Sequence, residues 1–390
     1  MWNVTTSSWS TDIGFVEKER LEYMQEVGYA SGKTGKDTDS ALETLTTAFV
    51  SPYWEIKRGH FEIPLSAALF TKNMGQASSL VGPAVASGAL LQWQFERTHF
   101  FELKAIANWS RTYSVMRSEK PYAIDTGFER SSTTPWTLLQ GRVSLLDRHV
   151  LSATDLFDIK VNQEQVSGTH ANSALNISRT LTSAEGIFTK KISDKHTFGL
   201  GGIFQTWNKK NFAENTNSQQ GALAQFEAQD AYTVSQKNFA TLKLAVLPLR
   251  NPTTLSPIEV SGEWKYLLTH HWKTVTTLER TNDILNMEGS HALRTRGQFS
   301  TTWRDFSRFD FGVNSSLSTS EIQLSKVTKK TVTQWAIEPN ARAYWDHEIS
   351  FGARMSLTGT QDHGVPDGNS SRVGIWINTS WPSTPEKKDL

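Results

Sequence analysis

Eight short polar clusters punctuate the chain, and the residues flanking each alternate between apolar and polar with a period of two. The clusters begin with Lys57-Arg58-Gly59-His60-Phe61, Glu96-Arg97-Thr98-His99-Phe100 and Asp147-Arg148-His149-Val150. Asp194-Lys195-His196-Thr197-Phe198, Ser235-Gln236-Lys237-Asn238-Phe239 and Thr269-His270-His271-Trp272 follow. The last two are Asp305-Phe306-Ser307-Arg308-Phe309 and Asp346-His347-Glu348-Ile349. Around the second cluster, Leu91, Trp93 and Phe95 alternate with Gln92, Gln94 and Glu96, and Phe101, Leu103, Ala105, Ala107 and Trp109 alternate with Glu102, Lys104 and Asn108. Successive side chains on a strand point to opposite faces, so this pattern predicts hairpins of long, two-faced strands.

Composition excludes several other folds and chemistries. The chain has 390 residues, no Cys and a formal net charge of +1. There is no disulfide framework, no Cys-ligated metal and no thiol nucleophile. The balanced charge provides no broad field to attract nucleic acid, and none is expected as a partner. No apolar run approaches the roughly 18 residues of a spanning helix.

Polar stretches rich in Gly, Ser, Asn and Asp separate the hairpins: Ala30–Ser40, Arg117–Thr134, Asn211–Gly221, Ser320–Lys330 and Thr360–Ser370. Short turns alternating with longer hydrophilic loops are the pattern of a transmembrane β-barrel, with the short turns periplasmic. In lipid the sheet must close, because an open edge leaves backbone groups unpaired. The fold class is therefore all-β, a closed antiparallel transmembrane barrel. Eight hairpins and a last strand, Arg372–Trp381, leave one strand to find at the N-terminus. Leu21, Tyr23, Val27 and Tyr29, opposed by Arg20, Glu22 and Glu26, supply it. The count is 18, with 16 as the fallback; the alternative reading of the same segment, Phe15–Tyr29, is a short plug helix. Residues 1–14 are expected to be a periplasmic segment or plug, residues 15–381 the barrel and residues 382–390 a polar tail. Trp54, Trp93, Trp264, Tyr266, Trp303 and Trp345 precede the short turns on the apolar face, where a membrane interface would hold them.

On these features the chain resembles bacterial outer-membrane β-barrels of the larger, porin-like or polysaccharide-export kind. Arg372–Trp381 resembles the terminal strand of such barrels, although Pro382–Leu390 follow it. The resemblance implies outer-membrane lipid, lipopolysaccharide and the barrel-insertion machinery as partners. For the export type it also implies a periplasmic export partner.

An 18-stranded barrel has a backbone diameter of roughly 35 Å, so its inward residues line a lumen. By parity the basic members include Arg142, Arg294, Arg296, Arg304, Arg342, Arg354 and Arg372. The acidic members include Glu96, Glu102, Glu259, Glu263, Glu338 and Glu348. Six of the arginines fall in the last third of the chain, which predicts a basic wall and a transverse field. Tyr53, Tyr344 and Trp376 are inward aromatics able to stack on sugar rings. The loop Arg117–Thr134 is expected to fold into the mouth and narrow it.

Seven of the ten His lie in the short turns. Adjacent turns are about two strand spacings, ~10 Å, apart. The expectation is solvated turn residues and no metal site. No nucleophile, phosphate-loop or zinc-helix motif appears. No catalytic residue and no cofactor are expected. The sequence predicts an outer-membrane channel for hydrophilic solutes, saccharides among them. The alternatives are the barrel of a polysaccharide export system and a closed structural or adhesive barrel.

Overall fold

The computed structural model describes residues 19–34, 37–73, 80–116, 129–172, 176–210, 219–235, 237–283, 291–305, 308–323, 329–345, 348–362 and 365–381. The chain forms one antiparallel sheet. Its segments in order are β1 (Arg20–Thr34), β2 (Asp37–Ser51), β3 (Tyr53–Ile56), β4 (Gly59–Glu62), β5 (Leu65–Asn73), β6 (Leu80–Glu96) and β7 (His99–Met116). Then come β8 (Glu129–Val150), β9 (Asp155–Thr169), β10 (Ile177–Ser193), β11 (His196–Lys210), β12 (Gln219–Ser235), β13 (Asn238–Asn251) and β14 (Ile258–Leu267). The remainder are β15 (Trp272–Asp283), β16 (His291–Asp305), β17 (Phe309–Gln323), β18 (Lys329–Tyr344), β19 (Ile349–Asp362) and β20 (Val365–Trp381).

These segments make 18 staves, because β2 with β3 and β4 with β5 each form one interrupted strand. The breaks fall at Pro52 and Pro64, which have no N–H to give the ladder. Their carbonyls stay paired, accepting from Ile63 N at 3.1 Å and from Gly88 N at 2.8 Å. Each stave pairs with its neighbour in sequence. β1 also pairs with β20 from Leu21↔Trp381 to Thr34↔Gly368, which closes the barrel and removes both edges. The N-terminal segment from Arg20 is therefore a strand, not a plug helix. Residues 1–14 and the tail 382–390 lie outside the described residues.

Seven of the eight predicted short turns join strands at one end of the barrel, where Arg20 and Trp381 also lie; the third cluster, Asp147 to Val150, is the end of β8, and the turn at that same end falls just after it, at residues 151–154. Two expected long loops at the opposite end are mostly strand. β1 runs to Thr34, paired with Asp37, and β19 to Asp362, paired with Val365. Polar composition there does not stop the backbone ladder. β8 begins at Glu129, and residues 117–128 of the proposed constricting loop lie outside the described residues.

The alternation separates two surfaces of opposite character. On β12, Leu223, Gln225 and Glu227 point inward and are buried, while Phe226 between them is 67% exposed on the outer wall. Leu242, Leu244 and Val246 on β13, Leu278 on β15, Leu317 on β17, and Val373 and Ile375 on β20 continue this apolar exterior. Trp54, Trp264, Trp272, Trp345 and Trp381 ring its short-turn end. Trp54 stacks on Phe61 across β3 and β4, at 5.7 Å between centroids.

Candidate functional site

The inner wall carries the charge, and the backbone register determines which charges meet. On the β18–β20–β1–β2 side, Glu26 is 1% exposed and accepts from Arg354 Nε at 2.8 Å. These residues are 328 apart in sequence and are brought together by barrel closure. Arg372 bridges Glu26, 3.4 Å from its Nη2, and Glu43, 3.1 Å from its Nε. Ser356 donates to Glu338 at 3.1 Å beside them. Gly374 makes room for this network, since a Cβ there would come within 2.5 Å of Glu26 Oε1.

Towards the short-turn end of the same wall, Trp376 lies against the bare backbone of Gly352, where a Cβ would overlap the indole. The Arg342 guanidinium sits 4.8 Å from the Trp376 ring centroid and 5.9 Å from that of Tyr344. The Tyr344 hydroxyl donates to Asp310 at 2.7 Å. Tyr53 faces His60, with centroids 5.1 Å apart. The three inward aromatics are thus built into the wall, and the Trp376 ring is covered by Gly352 and Arg342.

A second network lines the outer-mouth half of β9, β10, β15 and β16. Arg179 donates to Glu164 at 2.6 Å, and Arg294 donates to Asp283 at 2.6 Å, with both guanidiniums almost wholly buried. Asp283 acts electrostatically on both Arg179 and the fully buried Lys209 on β11. Arg142 stands opposite Glu164 in the β8–β9 register, and Arg296 stands opposite Glu279 across β15–β16. A third group lies near the short-turn end. Arg148 grips Asp158 through two bonds of 2.8 and 2.9 Å, while Glu102 pairs with Lys104 at 2.6 Å and accepts from Gln92 at 2.6 Å. Arg304 stands opposite Asp310 in the β16–β17 register, and Glu263 pairs with Lys265 at 2.7 Å.

The segment that folds inward among the described residues is the β13–β14 connection. Leu255 packs with Trp207, Leu223 and Leu247 inside the barrel, with Leu181 against them. Asn282 pins it, donating Nδ2–H to Ser256 O at 3.0 Å and accepting from Ser256 N at 2.8 Å. Glu259 holds Asn282 in turn, accepting from its backbone N at 2.8 Å and its Nδ2 at 2.9 Å. Ala292, Ile322 and Val332 form another buried apolar patch on the inner wall.

The predicted charged residues thus fall into two groups. Arg142, Arg294, Arg296, Arg304, Arg342, Arg354 and Arg372 lie on the inner wall, as do Glu102, Glu259, Glu263 and Glu338. The six late arginines occupy β16, β18, β19 and β20, but carboxylates interleave them, so that wall is a paired network rather than a purely basic one. Glu96 and Glu348 sit at the rim instead. A bulge between Gln94 and Glu96 breaks the alternation and pairs Glu96 with His99, and Glu348 is exposed in the turn before β19. Sequence reasoning missed Glu26, Glu43, Glu164, Arg179, Lys209 and Asp283. Their parity marked most of them as inward, but their pairing depends on which strands become neighbours.

No family model matches this sequence, and no curated protein matches it. Solved structures do match in shape. The siderophore receptor PirA from Pseudomonas aeruginosa aligns over 93% of this chain and 81% of its own, with a TM-score of 0.51 and 7% identity. OccK2 (OpdF) from Pseudomonas aeruginosa aligns over 95% of this chain and 100% of its own, with a TM-score of 0.50 and 12% identity. The ferric-catecholate import receptor Fiu from E. coli K12 aligns over 93% and 82%, with a TM-score of 0.50 and 7% identity. At such identities the likeness is one of fold. A closed antiparallel barrel of 18 staves, apolar outside and charged inside, is a transmembrane β-barrel of the bacterial outer-membrane type.

Proposed function

We propose that this protein is an outer-membrane channel for small hydrophilic solutes, saccharides among them, and that it performs no chemical step itself. The observation that carries the reading is the inward placement of paired charges along the inner wall. Fixed ion pairs, Ser, Asn and Gln side chains offer hydrogen-bond partners to a solute that has shed part of its water. Because the Arg of each pair has its carboxylate on its own wall, the lumen presents both signs of charge along its length and favours neutral or dipolar solutes over ions of one sign. The Leu255 segment narrows the outer-mouth half and gives the lumen a size limit. Planar-bilayer recording of the purified, refolded protein is the test. Stepwise, ohmic conductance increments are expected. A folded barrel that inserts and never conducts would replace this reading with that of a closed structural barrel.

A further inference from the structure

The outer wall carries a cluster that conduction does not use. His99 opens β7 and His149 lies near the end of β8, and the two stand directly opposite each other in the register. Each follows or precedes a different short turn, but their strands are neighbours, so the expected separation of two strand spacings does not apply. Their rings stack at 4.3 Å between centroids and 21° between planes. Both aim Nε2 at one carboxylate, that of Asp147: His99 at Oδ1, 2.6 Å away, and His149 at Oδ2, 3.1 Å away. Among the described residues this is the one group of three or more His, Asp or Glu whose donor atoms all lie within 4.8 Å of one another.

We propose that His99, Asp147 and His149 form a binding site for a transition-metal dication of the zinc class at the short-turn rim of the barrel. The donor set suits the ion, since imidazole nitrogens with a carboxylate select Zn²⁺ and its neighbours over Mg²⁺ or Ca²⁺. Zinc bonds of about 2.0–2.2 Å put tetrahedral donors about 3.3 Å apart. Small side-chain rotations reach that separation from the present contacts. The ion replaces two N–H···O bonds, with each ring proton moving to Nδ1. The rings are already oriented, because Phe95 stacks on His99 at 4.9 Å and Phe101 packs edge-on against Phe95 at 6.4 Å. The turn is tied down by Val150 N donating to Thr98 O at 2.8 Å. All three side chains remain about one-third exposed, which leaves an entry path and an open coordination position for water. The site would clip β7 to β8 where the barrel meets its periplasmic interface.

The test uses full-length protein without a polyhistidine tag, refolded in a detergent that lacks phosphate, and titrated with Co²⁺ and then Zn²⁺. One equivalent of Co²⁺ should bind saturably with the ligand-field intensity of a four- or five-coordinate ion, and Zn²⁺ should displace it. His99→Ala, Asp147→Ala and His149→Ala should each weaken binding at least about tenfold. His196→Ala is the control, because His196 meets Asp230 on β12 and, among the described residues, belongs to no group of three such donors. Circular dichroism confirms that each variant is folded. A wild-type spectrum no different from aqueous Co²⁺ overturns the proposal without any variant. Saturable binding that survives in the triad variants and disappears in His196→Ala also overturns it.

Discussion

At the scale of single residues, Glu26 is a buried carboxylate held from two sides. It is almost without solvent contact and holds Arg354 and Arg372 at once. Removing one partner of a buried ion cluster leaves charge uncompensated, at a cost of about 3–5 kcal/mol. Glu26→Gln should therefore unfold at a clearly lower temperature than wild type when heat-modifiable gel mobility is followed in detergent. Glu263→Gln, from the more exposed pair with Lys265, should cost no more than about 1 kcal/mol. Equal losses in the two variants would show that the Glu26 network is not a stabilising knot. Gly374 belongs to the same knot, because any side chain there enters the space of the Glu26 carboxylate.

At the scale of elements, the inward-folded connection between β13 and β14 is held by one apolar anchor and one amide. Leu255 is buried against Trp207, Leu223 and Leu247, and Asn282 holds the neighbouring backbone. A charge at position 255 cannot stay in that cluster, because burying an unpaired carboxylate costs more than releasing the loop. Leu255→Asp should free the segment from the wall and raise single-channel conductance, with circular dichroism unchanged. Unchanged conductance in a folded variant would move the narrowest point elsewhere in the lumen. The segment was not legible in advance. Pro252 and Pro257 mark it as a turn, but only the fold shows Trp207 on β11 positioned to receive Leu255.

At the scale of the whole molecule, the protein is inside out, with charges buried and large apolar side chains exposed. Phe226 and Leu278 are among the most exposed large apolar residues described, at 67% and 64%, and both face outward from the sheet. In a soluble protein an Arg at either position would cost almost nothing. On the lipid face of a barrel it should cost about 2–4 kcal/mol near the midplane. Phe226→Arg and Leu278→Arg should each lower stability in lipid vesicles by that order, read from urea unfolding of the refolded protein. Ser300→Arg, placed on the inner wall, should cost much less. Tolerance of all three alike would remove the lipid from the account of this surface.

The sequence alone pointed to 18 staves with 16 left open, and it placed the short turns at one end and marked which strand faces are apolar. Each of these follows from period-two alternation and short turn clusters, which are local properties of the chain. The pairing of β1 with β20 settled the count. Tertiary structure decided the pairings. Closure of β1 on β20 joins Glu26 to Arg354 across nearly the whole chain, and the β7–β8 register sets His99 on His149. Neither meeting is encoded in the spacing of the residues concerned, because an antiparallel register follows from where each turn and bulge falls. The polar ends of β1, β2, β19 and β20 make the same point. Their composition reads as loop, yet a neighbouring strand offers backbone hydrogen-bond partners, and the ladder continues.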